Sequence, residues 1–247
     1  MEMSVEKHEE YDYHYKYDYH YRYDGYTVYV GDHRILTIYT ESYDTATKWL
    51  KEVRKIHCNN KHNTLLVGVY VDRQFLSYER HGLKDSPYDL ISLCIGSHCL
   101  IYRLLHPEHY RTPRILETFF TDPAVIAVGM NMVSVAKKLM WDHGIKFVNP
   151  VDLNTMAMKG MKRDDLDIGR YDLDRLAKVV LGKRWDIVRP KQPVEWYERD
   201  EMLTVEKVMF VTVDTYFYYR IGSELLDMMN CLHPLPSSLK TKKNKKK

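Results

Sequence analysis

Nowhere does this chain sustain the ~18 consecutive apolar residues that a membrane-spanning helix requires, so no membrane span is expected. Cysteine is scarce: four residues, Cys58, Cys94, Cys99 and Cys231, with no spacing that suggests a disulfide framework. That scarcity fits a reducing compartment, nucleus or cytoplasm or both. Cys94 with His98 and Cys99, and Cys231 with His233, match no common zinc-ligand spacing, and ordinary buried thiols are expected there. The opening MEMSVEKHEEYDYHY lacks the apolar stretch of a secretory signal, so none is expected. Charge of neither sign dominates, with 37 Lys and Arg against 34 Asp and Glu. The formal excess of +3 is local, because KTKKNKKK at 240–247 alone carries six lysines. Without those lysines the balance turns slightly acidic, so bulk charge does not announce a nucleic-acid surface on the body of the chain.

What the chain has in quantity is tyrosine, 21 residues of 247. Seven of them occupy every odd position from Tyr11 to Tyr23, in the repeat YDYHYK, YDYHYR, YD. A period of two would set all seven rings on one face of a strand and Asp12, His14, Asp18 and His20 on the other. Low-complexity composition favours a tail; a stacking surface for single-stranded bases and a weak metal-binding face are the alternatives. Residues 234–247, rich in Pro, Ser and Lys, have the composition of a disordered tail. As a targeting or polyanion-binding patch, KKNKKK is the functional alternative.

Between these segments the length suits one sizeable α/β domain. Tyr26–Val30 and Ile35–Tyr39 are predicted strands joined by the turn signal Gly31-Asp32-His33-Arg34. Trp49, Leu50, Val53 and Ile56 recur at helical spacing and predict a helix over 44–56. LLVGVYVD (65–72) is an apolar, β-branched strand ending in an acid, and Tyr70 and Asp72, two apart, project from one face. Further strands are predicted at 90–95, 99–104, 124–128 and, with a turn, 147–153. Helices are predicted at 112–120, 134–143, 173–181 and 204–229, with Gly182 stopping the third. Strands and helices in this order predict a mixed sheet with helices on both faces and an N-terminal β-hairpin.

Several segments together carry a family resemblance: VGVYVD (67–72), LISLCIGSHCLIYRLLH (90–106), VGMNMVSVAKKL (128–139), VDL (151–153), LDRLAKVVLGK (173–183), Trp196 and FVTVDTYFYYRIG (210–222). In order and spacing they resemble the plant Werner-syndrome-like 3′–5′ exonuclease domain proteins of the DEDD superfamily, over roughly residues 26–227. The resemblance implies a ribonuclease H-like α/β fold. It divides the chain into a Tyr-rich segment (1–25), an exonuclease-like domain (26–230, core 65–227) and a Lys-rich tail (231–247). In that family four carboxylates bind two divalent metals, Mg2+ or Mn2+, and a tyrosine positions the attacking water. Such metals, ~3.5–4 Å apart, activate water and stabilise the leaving oxygen, and hard cations require oxygen ligands.

Mapped residue by residue, the resemblance implies a depleted site. The first family Asp, which bridges both metals, falls on Tyr70, and the Glu falls on Asp72. The middle-helix Asp falls on Val135, the water-positioning tyrosine on Phe210, and the last Asp is retained as Asp214. Asp72 and Asp214 are thus the only candidate metal ligands left. A phenol with its ordinary pKa of ~10 is a poor ligand at neutral pH, and valine offers no donor atom. The expected function is a nucleic-acid-binding protein of exonuclease fold that has lost most or all hydrolysis and need bind no metal. A weak or altered metal-dependent exonuclease on DNA or RNA 3′ ends and a protein–protein interaction module are the alternatives. Lys137, Lys138, Lys159, Lys162 and Arg163 are the candidate phosphate contacts.

Overall fold

The computed structural model describes residues 2–8, 23–57, 64–72, 87–104, 114–162, 167–185 and 203–232. The tyrosine repeat at 11–22, Cys58, Pro113, Arg163 and the lysine tail lie outside the described residues, and so do the expectations placed on them.

One mixed eight-stranded sheet organises the chain. Its strands are β1 (Met3–His8), β2 (Tyr23–Val30), β3 (His33–Thr40), β4 (Leu65–Asp72), β5 (Leu90–Ile95), β6 (His98–Arg103), β7 (Val125–Gly129) and β8 (Pro150–Asp152), in the spatial order β1-β2-β3-β6-β5-β4-β7-β8. The β1–β2–β3 and β6–β5–β4 neighbours are antiparallel. The β3–β6, β4–β7 and β7–β8 pairs are parallel. The predicted hairpin forms with Gly31 and Asp32 at its turn, and its strands run beyond the predicted ends.

Alternation along the central strands sends side chains to two separate cores. Val67 and Val69 of β4, Ile91, Leu93 and Ile95 of β5, and Leu100 and Tyr102 of β6 face one layer. That layer contains α1 (Tyr43–His57), α2 (Arg114–Thr121) and α3 (Met132–His143). Leu66 and Tyr70, with Cys94, Cys99 and Val128, face the other, made by α4 (Leu153–Met161), α5 (Leu173–Leu181) and α6 (Val205–Leu232). Helices therefore cover both faces, as expected. Cys94 and Cys99 are buried free thiols, also as expected.

The 28-residue α6 crosses the middle of its face and is apolar on most sides. Thr204 caps its first turn, its hydroxyl accepting from the Lys207 amide at 3.2 Å. Buried hydroxyls set its rotation: Thr215 lies 2.8 Å from Ser92 of β5, and Thr212 lies 3.1 Å from Thr37 of β3. Backbone approach sets its depth. A Cβ on Gly68 would stand 2.4 Å from the Thr215 carbonyl oxygen, so only glycine lets the helix lie this close to β4.

Two elements differ from the sequence expectation. Met3–His8 forms a strand, β1, paired with β2. Residues 153–161, for which no helix was predicted, form α4. Asp152 caps α4, its Oδ1 accepting from the amides of Asn154 and Thr155, while Leu153, Met156, Ala157 and Gly160 turn inward. Among the described residues no helix is long and apolar enough to cross a membrane.

Candidate functional site

The end of β4 and the first turns of α6 bring the central candidates together. Tyr70 and Asp72 share the α6-facing side of β4, as their spacing requires. The Tyr70 hydroxyl donates to Asp72 Oδ2 at 3.1 Å. The same oxygen receives a second donor at 2.6 Å, the Nζ of Lys207, which lies 135 residues away in sequence. The Lys207 side chain is only 6% exposed and that of Asp72 19%, so the pair sits largely out of water. Asp214 lies on the same stripe of α6, two turns beyond Lys207, about 10 Å along the axis. Its charge, with that of Asp72, reaches Tyr70. Burial first, and then these two carboxylates, push the Tyr70 phenol well above its ordinary pKa. Its ring lies 6.3 Å from that of Tyr218, one further turn along α6. Tyr70 is thus a neutral donor, locked against an acid and an aromatic wall.

The other substituted positions are apolar. Phe210 is 8% exposed in the α6-side core. Val135 is buried in the opposite core, on α3, with Val67 and Val69 as fellow members of that cluster. Tyr70, Asp72 and Asp214 gather around β4 and α6, while Val135 contributes its side chain to the opposite core.

This donor set does not fit a two-metal centre. Two carboxylates remain, and one already accepts from an ammonium and a phenol. Ionising Tyr70 would work against its burial and two nearby acids. Among the described residues no three His, Cys, Asp or Glu side chains are grouped as a metal cluster would need. Lys207 supplies positive charge at the oxygen that a divalent cation would otherwise share. Sequence reasoning missed Lys207. The signal was a lone lysine in the apolar run VEKVMFVTVD, seven residues before Asp214.

Of the candidate phosphate contacts, Lys138 already has a partner within the protein. Its ammonium pairs with Asp142 at 3.0 Å and lies 5.8 Å from the Tyr88 ring. Lys137 on α3, Lys159 near the end of α4 and Lys162 just after it are exposed. Lys137 and Lys159 stand on opposite layers of the sheet and do not form one basic stripe.

Comparison with solved structures follows the sheet rather than the sequence. The catalytic core of RRP6 from Trypanosoma brucei matches over 80% of this chain and 47% of its own, with 14% identity and a TM-score of 0.53. Brucella melitensis NrnC matches over 70% and 77%, with 11% identity and a TM-score of 0.52. The EXD2 exonuclease domain, in a crystal soaked in Mn and dGMP, covers 85% of this chain and 99% of its own at 18% identity, with a TM-score of 0.41. No protein-family model and no curated protein matches the sequence. The fold, a mixed sheet with helices on both faces, is shared with the RRP6 catalytic core and with NrnC. At identities this low the likeness concerns architecture, and the chemistry of this chain rests on its own residues.

Proposed function

We propose that this chain is a nucleic-acid-binding protein of 3′–5′ exonuclease fold in which two-metal hydrolysis has been lost. One observation carries the proposal: Asp72, the acid at the end of β4, is neutralised from within by the buried Lys207 ammonium at 2.6 Å. A metal arriving at Asp72 must displace that cation and would find Tyr70, a neutral donor, where a ligand is needed. Losing a ligand or base from such a centre commonly costs on the order of 4 kcal/mol or more of barrier. The fold supports nucleic acid as the partner, and the finer kinship with the plant Werner-like proteins belongs to the same proposal. Nucleus or cytoplasm is the compartment it expects, with KKNKKK as the candidate targeting element.

The test is nuclease assay of the purified full chain with Mn2+ and a recessed 3′ end, beside binding to the same DNA. Retention of the duplex without nucleotide release is the expected result. Metal-dependent release that disappears in Asp214→Ala would overturn the proposal and favour a weak exonuclease built on Asp72 and Asp214.

A further inference from the structure

Helix α3 buries Met132, Val135, Leu139 and His143 and turns Val133, Lys137, Met140 and Trp141 outward. These four recur at i, i+4, i+7 and i+8, so they form a single stripe on the solvent side. Trp141 is 91% exposed, against 57% for Val133 and 50% for Met140. Large aromatic side chains are normally packed over most of their surface. Among the described residues Trp141 makes no ring, cation or hydrogen-bond contact. The indole therefore contributes little to holding the fold together, and both its π faces are open.

Among the described residues the outer side of α3 carries charge of one sign. Lys137 stands one turn before Trp141, about 6 Å along the axis, and makes no ion pair among the described residues. Lys146, just beyond the helix, is exposed as well. The one acid of α3, Asp142, is turned inward and paired with Lys138. Among the described residues α3 thus offers an open aromatic plane and the Lys137 ammonium, with its one carboxylate paired.

We infer that the outer face of α3 is a stacking platform for single-stranded nucleic acid, with a base on Trp141 and its phosphate on Lys137. This deepens the nucleic-acid reading above and rests on it. Bases stack on aromatic side chains regardless of sequence, while neighbouring cations follow the backbone. A second copy of the chain fits poorly, because an isologous contact would bring the Lys137 cations of both copies into one interface to which α3 contributes no unpaired carboxylate. A folded protein partner also fits poorly. Four side chains on a convex helix fall well short of the ~800 Å² per partner of a standard protein interface.

Fluorescence anisotropy of the full chain with labelled oligothymidylate and oligouridylate, over a series of salt concentrations, tests the inference. Trp141→Ala should weaken binding about 5- to 150-fold and leave the salt slope unchanged, while Trp141→Phe restores most of the affinity. Lys137→Ala should reduce the salt slope by about 0.7, the value expected for one phosphate contact on a single strand. An unchanged melting midpoint in Trp141→Ala confirms that folding is intact. Wild-type binding that Trp141→Ala leaves untouched overturns the platform and spares the nucleic-acid reading. Absence of wild-type binding overturns both. Unchanged oligonucleotide affinity with a shift of Trp141→Ala from dimer to monomer in sedimentation makes the face a self-association surface and likewise overturns the inference.

Discussion

An acid at the inner end of a buried strand needs a counter-charge, and here Lys207 supplies it. Removing one partner of a buried pair is far more costly than the pair is worth, because the other charge stays behind in a low dielectric. Lys207→Ala should therefore lower unfolding free energy by about 3 kcal/mol, measured by urea denaturation. The same variant removes the Lys207 ammonium from Asp72. Added Mn2+ should raise its melting midpoint and leave that of the wild type unmoved, since ligand binding to the native state alone stabilises it. Equal responses of the two proteins would remove Lys207 as the barrier to metal. Tyr70→Phe deletes only the hydroxyl that donates to Asp72. About 1 kcal/mol of stability should go with it, with Asp72 still held by Lys207.

At the scale of elements, the contact of α6 with β4 decides the site, since one side of the cluster hangs from each. Gly68→Ala would drive a methyl group to 2.4 Å from the Thr215 carbonyl and 2.7 Å from the Tyr219 amide. Backbone cannot yield as a side-chain tip can, so the helix must lift. The expected cost is about 1–3 kcal/mol, and the near-ultraviolet circular dichroism from Tyr70 and Tyr218 should change with it. Asp152→Ala tests a separate element: loss of the α4 cap should cost about 1 kcal/mol and leave the Tyr70 cluster undisturbed. The α4 start was legible in principle, as an Asp followed by apolar residues at helical spacing. It was hidden by the preceding strand-like run into VDL, whose Asp152 both ends β8 and caps α4. Edge strand β1 left a weaker mark, because four of its six residues, Ser4, Glu6, Lys7 and His8, are charged or polar, and pairing with β2 decides its conformation.

For the whole molecule, tyrosine burial sets an alkaline limit. Burial pushes Tyr102 and Tyr216 up to about 12 and is also the leading cause of the raised pKa of Tyr26, Tyr39 and Tyr70. A folded-state pKa above the unfolded value means that the native state keeps a proton that the unfolded chain releases. The stabilising contribution is thus complete below the unfolded value of ~10 and is lost as pH rises through it toward the folded values. Melting midpoints should fall steeply above pH ~10. A fraction of the phenolate absorbance should appear only together with loss of the helical circular dichroism signal. If all phenols titrate smoothly before unfolding, the tyrosines are not buried as described.

The sequence by itself determined what depends on neighbours along the chain. Period-two alternation in LLVGVYVD set Tyr70 and Asp72 on one face. The apolar spacing in 44–56 and 173–181 set helices, and Gly182 set the end of the second. Hydrophobic burial rewards each of these patterns within a few residues, so local order is enough to read them. Tertiary structure decided what depends on distant neighbours. It placed β3 beside β6 to join the hairpin to the sheet, put Val135 on the far side of that sheet, turned Lys138 inward to Asp142, left Trp141 in water, and carried Lys207 across 135 residues to Asp72. A side chain's charge partner is chosen by the depth and rotation at which its helix docks. Those are fixed here by Gly68 and by the hydroxyls of Thr212 and Thr215, and no pattern around Lys207 encodes them.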